Sequence, residues 1–544
     1  MFVPEKCHLR SASVMLFVFL RHETWRGGPS RRVPVFPHLL YYMKTLLPLL
    51  ALAPAMASAQ AQKPNIILLV ADDLGFGDLS CYGTQLVHTP VTDSLAAHGL
   101  RFTNMHACAS TSTPSRYGML TGEYPFRRSG TNVAAGNAGT IIQPEQTTVA
   151  DLMRAAGYAT AAIGKWHLGL GSETGRQDWN DTLDVTPRDL GFDYHYIMAA
   201  TADRVPCVYI EQGRVSQHDP DAPISVSYQQ NFEGEPTGRD NPELLTKLRP
   251  SHGHDQSIVN GISRIGYMKG GGRALWRDED IADSIVAHAC GFIERHSSEP
   301  FFMYLCTNDV HVPRMPHERF RGLSEMGLRG EAILQFDWTV DQLCRTLRRL
   351  GLDEQTLILI TSDNGPVLDD GYADRAEELC GTHRPWGPWR GAKYSAFEGG
   401  SAVPFIAYWL GGIGQGGVTD ALCSLIDVPA TLAQLVGVSV PHGAAPDSQQ
   451  HLSTWLGRDR KPRPWAVSMA ANRLVTLRTQ RYKYIAPSKG GPMITWGPKI
   501  ETGNAPVPQL YDLSTDVHED HNVAAEHQLL TKRMQSLLRT IMGQ

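Results

Sequence analysis

Apolar residues fall in short runs that stop abruptly at polar clusters, and this punctuation recurs along the chain. Asn65–Ala71 (NIILLVA) ends in Asp72-Asp73, and Tyr158–Ile163 ends in Gly164-Lys165-Trp166-His167. Phe301–Cys306 runs into Asn308 and His311, and Thr356–Thr361 (TLILIT) ends in Ser362-Asp363-Asn364-Gly365. Val403–Trp409 is a fifth run. Short apolar runs closed by turn residues read as strands. Between them, helical patterns cover Thr92–His98, Thr148–Ala156, Asp278–Arg295 and Gly330–Leu350. The alternation predicts an α/β fold: a large, mostly parallel mixed sheet sandwiched by helices. In such sheets ligands collect beyond the carboxyl ends of the strands. Four runs here end in carboxylates, amide, Lys or His, a residue choice that a merely solvated loop does not need.

Residues 211–275 are rich in Gly, Pro and polar residues, with a GGG at 270–272. They predict a long loop insertion of the kind that lines binding sites. From about Ser453 the pattern changes. Val475–Leu477 and Tyr482–Ile485 read as short strands and Gln528–Ile541 as a terminal helix. The division is a main domain over 63–452 and a small α+β subdomain over 453–544.

The first sixty residues differ from the rest. Residues 1–42 carry six Lys or Arg against two Glu and show no sustained period. Met43-Lys44 then precedes TLLPLLALAPAMASAQAQ, a short positive start, an apolar stretch and a small-residue cleavage site. Residues 43–59 read as a secretory signal peptide, and 1–42 as a non-native extension from an upstream start codon. The apolar run is too short for a membrane anchor, and no later segment is long and apolar enough to span a bilayer. The protein is expected to be exported, periplasmic or extracellular.

Composition excludes several classes. The 544 residues are 42% hydrophobic and 19% charged, unlike a disordered, collagen-like or coiled-coil chain. The formal charge of −5 does not indicate a nucleic-acid partner. Removing residues 1–59, which carry a net +5, leaves a mature chain at −10. The nine cysteines form no CxxC or Cys/His cluster with zinc spacing. Their irregular spacing assigns no disulfide, and most read as free buried thiols.

Paired carboxylates at a strand end repel each other unless a cation lies between them. Asp72, Asp73, Asp363 and Asn364 offer only oxygen ligands. Such donors favour Ca²⁺ or Mg²⁺ over zinc. The segment Ser110–Gly122 contains Ser112-Thr113-Pro114-Ser115-Arg116 and closes on Thr121-Gly122. With it the chain resembles the sulfatase family of the alkaline-phosphatase superfamily, whose signature is Cys or Ser, x, Pro, Ser, Arg, a spacer and Thr-Gly. The resemblance extends to VADDLGFGD at 70–78, GKWHLG at 164–169, VHVP at 310–313, SDNG at 362–365 and GAKYSAFEGG at 391–400.

The resemblance implies a set of roles. Ser112 takes the position converted to formylglycine, whose hydrated gem-diol is the nucleophile. Arg116 would hold that nucleophile and offset its charge. Asp72, Asp73, Asp363 and Asn364, together with the modified Ser112, match the ligands of a metal, Ca²⁺ in preference to Mg²⁺. Lys165 and Lys393 match sulfate-binding lysines. His167 matches the residue that assists the gem-diol, and His311 the one that protonates the leaving oxygen. One departure carries a consequence: the modified position is Ser, so the implied maturation partner is an anaerobic radical sulfatase-maturating enzyme. Cys108 lacks the Pro-Ser-Arg sequel and is not the nucleophile.

The expected substrate is a sulfated carbohydrate, with 6-sulfated galactose or N-acetylgalactosamine the specific expectation. Candidate substrate-binding residues are Asp203 and Arg204, His252 and His254 in the insertion, and His383 close to Trp386 and Trp389. Two alternatives stand beside this. One is a phosphomonoester, phosphodiester or phosphonate hydrolase of the same superfamily. The other is a non-catalytic sulfated-glycan-binding protein, should Ser112 stay unmodified.

Overall fold

The computed structural model describes residues 63–544 apart from Gln415. The expected extension over 1–42 and signal peptide over 43–59 lie outside the described residues. Among the described residues one sheet of eleven strands dominates. Its strands are β1 (Asn65–Ala71), β2 (Leu100–His106), β3 (Ala159–Lys165), β4 (Tyr194–Met198), β5 (Tyr209–Glu211), β6 (Arg214–Val215), β7 (Phe301–Cys306), β8 (Thr356–Ser362), β9 (Ala402–Tyr408), β10 (Gly417–Thr419) and β11 (Cys423–Ser424). Their order is β10-β2-β9-β8-β1-β7-β3-β4-β5-β6, with β11 also on β2. The central strands β8, β1, β7, β3 and β4 are parallel, and β9 runs antiparallel to β8 and β2. Every residue of β1, β7 and β8 is buried, as a parallel sheet covered on both faces requires.

Seven helices matter for the site: α1 (Pro90–His98), α2 (Ser112–Thr121), α3 (Val149–Ala155), α4 (Ile281–Arg295), α5 (Gly327–Arg349), α6 (Val428–Val436) and α7 (Gln528–Met542). Helices α1, α4 and α5 pack together, as do α2, α3 and α6, and β3 touches one helix of each group. Helices α2 and α6 and strand β2 were not legible in the apolar pattern. All ten residues of α2 are buried, so the helix has no polar face to mark its period. The expected helix from Asp278 begins with a tight turn at Asp278–Asp280 before α4.

A second sheet is antiparallel, in the order β12 (Ala466–Met469), β13 (Val475–Arg478), β14 (Tyr482–Ile485), β15 (Gln509–Asp512), with α7 against β13 and β14. Its edge is tied to the segment before α2: Met469 N donates to Cys108 O at 3.1 Å, and Ser110 N donates to Met469 O at 2.9 Å. The buried Glu398 carboxylate adds a second tie, accepting from Lys483 Nζ at 2.8 Å and Arg478 Nε at 3.0 Å. The insertion is held by two small antiparallel pairings, Ser225–Ser227 with Tyr267–Lys269 and Ile258–Val259 with Ile262–Ser263.

Strand register builds the functional end of the molecule. Ala71 pairs with Ser362, so Asp72 and Asp363 emerge side by side. Val70 pairs with Cys306 and Cys306 with Gly164, which brings the ends of β7 and β3 to the same level. Gly164 has φ +91°, and a Cβ there would lie 1.9 Å from Cys306 O. Only glycine lets β3 pass so close before it delivers Lys165.

Candidate active site

Ser112 is the first residue of α2, where unpaired backbone N–H groups and the helix dipole favour negative charge. Pro114 falls in the first turn, where its missing N–H costs nothing. Gly122 closes the helix at φ +65°, its N–H donating to Gly118 O. Arg116 lies four residues on from Ser112, hence on the same face. The Pro, Arg and Gly of the motif thus have separate physical reasons.

The side chains converge in a buried polar cluster. Lys165 Nζ donates to Ser112 Oγ at 3.1 Å and to Asp72 Oδ2 at 2.5 Å. Ser112 Oγ donates to Asn364 Oδ1 at 3.3 Å. Arg116 Nε donates to Asp363 Oδ2 at 2.9 Å, and Asn364 Nδ2 to Asp73 Oδ1 at 2.7 Å. Lys393 Nζ joins Asp73 Oδ2 at 2.8 Å to Asp370 Oδ2 at 2.9 Å. His311 Nε2 faces Asp73 Oδ2 at 3.7 Å, and its Nδ1–H donates to Val312 O at 2.6 Å. Asp73, His167 and Tyr394 all have left-handed backbone, at φ 59°, 57° and 77°. Strained backbone of this kind concentrates where packing imposes a functional geometry.

Electrostatics follow from burial and partners. Burial raises the Asp72 carboxyl, opposed by Lys165. Burial would also raise Asp363, but Arg116, Lys165 and Lys393 outweigh it and hold Asp363 well below the usual carboxylate range. Burial and then the neighbouring Lys165 keep the His167 imidazole neutral, well below its ordinary value. His167 Nε2–H donates to Ala134 O at 3.0 Å, while Nδ1 is buried without a partner. That leaves Nδ1 as a free hydrogen-bond acceptor.

The carboxylates fit a hard cation. Asp72, Asp73 and His311 bring ligand atoms within 4.8 Å of one another. Asp72 Oδ1 is buried and lacks a hydrogen-bond partner. Four buried carboxylates (Asp72, Asp73, Asp363, Asp370) face three basic side chains (Arg116, Lys165, Lys393). A divalent ion would reverse that imbalance and suit an anionic ligand.

A cavity of about 90 Å³ opens above Ser112, lined by Asp203, Arg204, His254, His311, Lys393 and Tyr394 among others. Arg204 Nη1 forks onto Asp203 at 2.8 and 3.0 Å, and His254 Nε2 meets Asp203 Oδ2 at 3.0 Å. Burial would raise Asp203, but Arg204 and His254 hold it well below the usual range. His252 stands behind His254, their ring centroids 6.2 Å apart. His383 is placed elsewhere, and this corrects the expectation that it lines the substrate pocket. Its Nε2 meets the buried Asp78 Oδ1 at 2.8 Å, and Asp78 also pairs with Arg329. Apolar runs and motifs did not single out Asp370, Tyr394 or Trp496, all of which line the cavity. Tyr394 lies inside the GAKYSAFEGG motif, but nothing local marks Asp370 or Trp496. All eight cysteines among the described residues are free, six of them buried.

This constellation at the carboxyl ends of a parallel sheet defines a class of enzyme, and comparison with known proteins agrees. The family model described as Sulfatase matches residues 64–438. An N-acetylgalactosamine-6-O-sulfatase of Bacteroides thetaiotaomicron is 49% identical over 481 residues, 88% of this chain and 93% of that protein. Human arylsulfatase A is 31% identical over 489 residues, 87% of this chain and 86% of its own. A solved structure from work on glycosaminoglycan metabolism by Bacteroides thetaiotaomicron superposes with a TM-score of 0.87 at 49% identity, covering 89% of this chain and all of that one. The fold is shared with a Pseudoalteromonas sulfatase at TM-score 0.65 and 23% identity, covering 94% of this chain and 95% of that one. The chain belongs to the sulfatase family and is a sulfuric ester hydrolase.

Proposed function

We propose that the protein is an exported, calcium-dependent sulfatase that removes 6-sulfate from N-acetylgalactosamine through a formylglycine made from Ser112. The observation that carries this reading is Ser112 Oγ on the floor of a polar cavity, 3.1 Å from Lys165 Nζ. The 49% identity to an N-acetylgalactosamine-6-O-sulfatase supports the choice of sugar. A galactose 6-sulfate is the neighbouring alternative. Export rests on the signal-like segment 43–59, and division of the chain near 452/453 on the separate antiparallel sheet.

Hydrated formylglycine at 112 would supply one oxygen to attack sulfur and a second to expel sulfate by re-forming the aldehyde. Asp72, Asp73, Asp363 and Asn364 would hold the calcium, which supplies charge to polarise a sulfate oxygen. The chain's own groups do the rest. Arg116 and Lys165 offset negative charge at position 112. Neutral His167 would accept a hydrogen bond at Nδ1 from the hydrated group at 112. Lys393 receives charge that develops on the sulfate oxygens, and His311 gives a proton from Nε2 to the leaving sugar oxygen. Asp203, Arg204 and His254 would bind sugar hydroxyls, a role supported by their position in the cavity lining.

The test is a panel of sulfated mono- and disaccharides assayed with protein co-expressed with an anaerobic maturase. Sulfate release from 6-sulfated N-acetylgalactosamine in preference to its 4-sulfated isomer supports the proposal. Preference for the 4-sulfate, or cleavage of phosphate esters alone, would refute it.

A further inference from the structure

The region between β14 and β15 is an arm. Ile494 N donates to Ile500 O and Thr502 N to Pro492 O, and Met493 bridges Glu501 in antiparallel fashion. Two ties fasten it to the main body. Arg390 forks onto Glu501, both contacts at 2.7 Å, and Ala396 N donates to Thr502 O at 3.0 Å. The tip carries Trp496, which lines the cavity above Ser112 yet is 57% exposed. Its indole lies nearly perpendicular to the Tyr394 ring, with centroids 5.1 Å apart, and is inclined at 60° to the His252 ring at 6.2 Å. The next residue is Gly497, where a Cβ would lie 2.1 Å from His252 Nε2. The arm can seat its tip on His252 only because this side chain is missing. Met493, also on the arm, is 39% exposed.

A large indole half out of water at the mouth of a polar cavity lacks a packing reason. Tyr394, which lines the cavity, and His252 neighbour the indole, and more than half of its surface stays exposed. We infer that Trp496 is a specificity-determining platform for the sugar ring linked to the sulfated one, stacking on that ring's C–H face outside the cavity. The inference rests on the carbohydrate-sulfatase reading and extends it: the enzyme discriminates chain-linked from free sulfated sugar. Arg390–Glu501 and the Gly497–His252 contact are what place the platform.

The experiment uses matured full-length enzyme and the sulfated sugar that the panel identifies, as the free monosaccharide and within a disaccharide. Wild type should prefer the disaccharide. W496A should lose about tenfold in kcat/KM on the disaccharide, mainly through KM, and a clearly smaller factor, about threefold, on the monosaccharide, because Trp496 also borders the cavity. W496F should recover most of the loss, and G497A, which lifts the arm from His252, should reproduce it. Equal losses on both substrates, or none on either, would overturn this inference and leave the sulfatase reading standing. Cleavage of an aryl sulfate with no cleavage of any sulfated sugar would overturn the carbohydrate reading and this inference together.

Discussion

Lys393 Nζ lies 2.9 Å from Asp370 Oδ2, and the same carboxylate accepts from Tyr394 Oη through its other oxygen at 2.7 Å. Asp370 thereby fixes a lysine that also reaches Asp73 at 2.8 Å. Burial would lower Lys393, but Asp370 and Asp73 outweigh it and keep the ammonium charged. Asp370→Asn removes the ion pair while keeping the shape. It should lower kcat/KM by roughly 10- to 100-fold in steady-state assays with the fold intact by circular dichroism. Activity equal to wild type would show that Asp73 alone positions Lys393.

Ser112→Ala should reduce turnover to background without changing the melting temperature, because the hydroxyl meets only Lys165 and Asn364. In active wild-type protein the peptide containing residue 112 should be about 2 Da lighter than encoded, the loss of two hydrogens on oxidation to the aldehyde. Full activity at the encoded mass would rule out the modification.

Calcium should stabilise the folded enzyme by mass action. At a hundred times its dissociation constant the gain is about 2.7 kcal/mol, read as a rise in melting temperature over chelator-treated protein. Asp73→Asn should abolish that rise. An equal rise in the variant would place the ion elsewhere.

His195 on β4 provides a pH test away from the site. Its Nε2 accepts from Gly213 N at 2.8 Å, and burial pushes the imidazole down to about 4. The unfolded chain binds this proton near the ordinary value of 6.5 and the folded chain does not. Stability is therefore complete above pH 6.5 and falls as pH drops toward 4, by up to about 3 kcal/mol. His195→Gln should flatten that limb in urea titrations at pH 7 and 4.5. An unchanged slope would mean other groups dominate it.

His383→Ala should separate structure from function. The ring supports Asp78, which also accepts from Gly75 N at 2.7 Å. The variant should melt lower by a few degrees yet keep kcat/KM within about twofold. A large rise in KM at unchanged stability would return His383 to substrate binding.

Much of the fold and site was legible along the chain because it depends on neighbours in sequence. Runs such as NIILLVA and TLILIT must be buried strands, and their polar ends must meet where parallel strands finish in register. That places Asp72, Asp73, Lys165, Asp363 and Asn364 together, and the Ser112–Arg116 spacing puts both side chains on one helix face. Other features were set by contacts between distant segments. Asp370 reaches the site because Arg314 gathers the 367–374 loop, donating to Val367 O and Leu368 O at 2.9 Å and to Asp374 at 2.6 Å. Trp496 arrives on an arm from the second sheet, and His383 is drawn away to Asp78. Periodicity and motif spacing are local properties, so the sequence determined the sheet and the chemistry at its edge. Loop positions depend on long-range packing and buried ion pairs, so only the tertiary structure decided which side chains close the pocket.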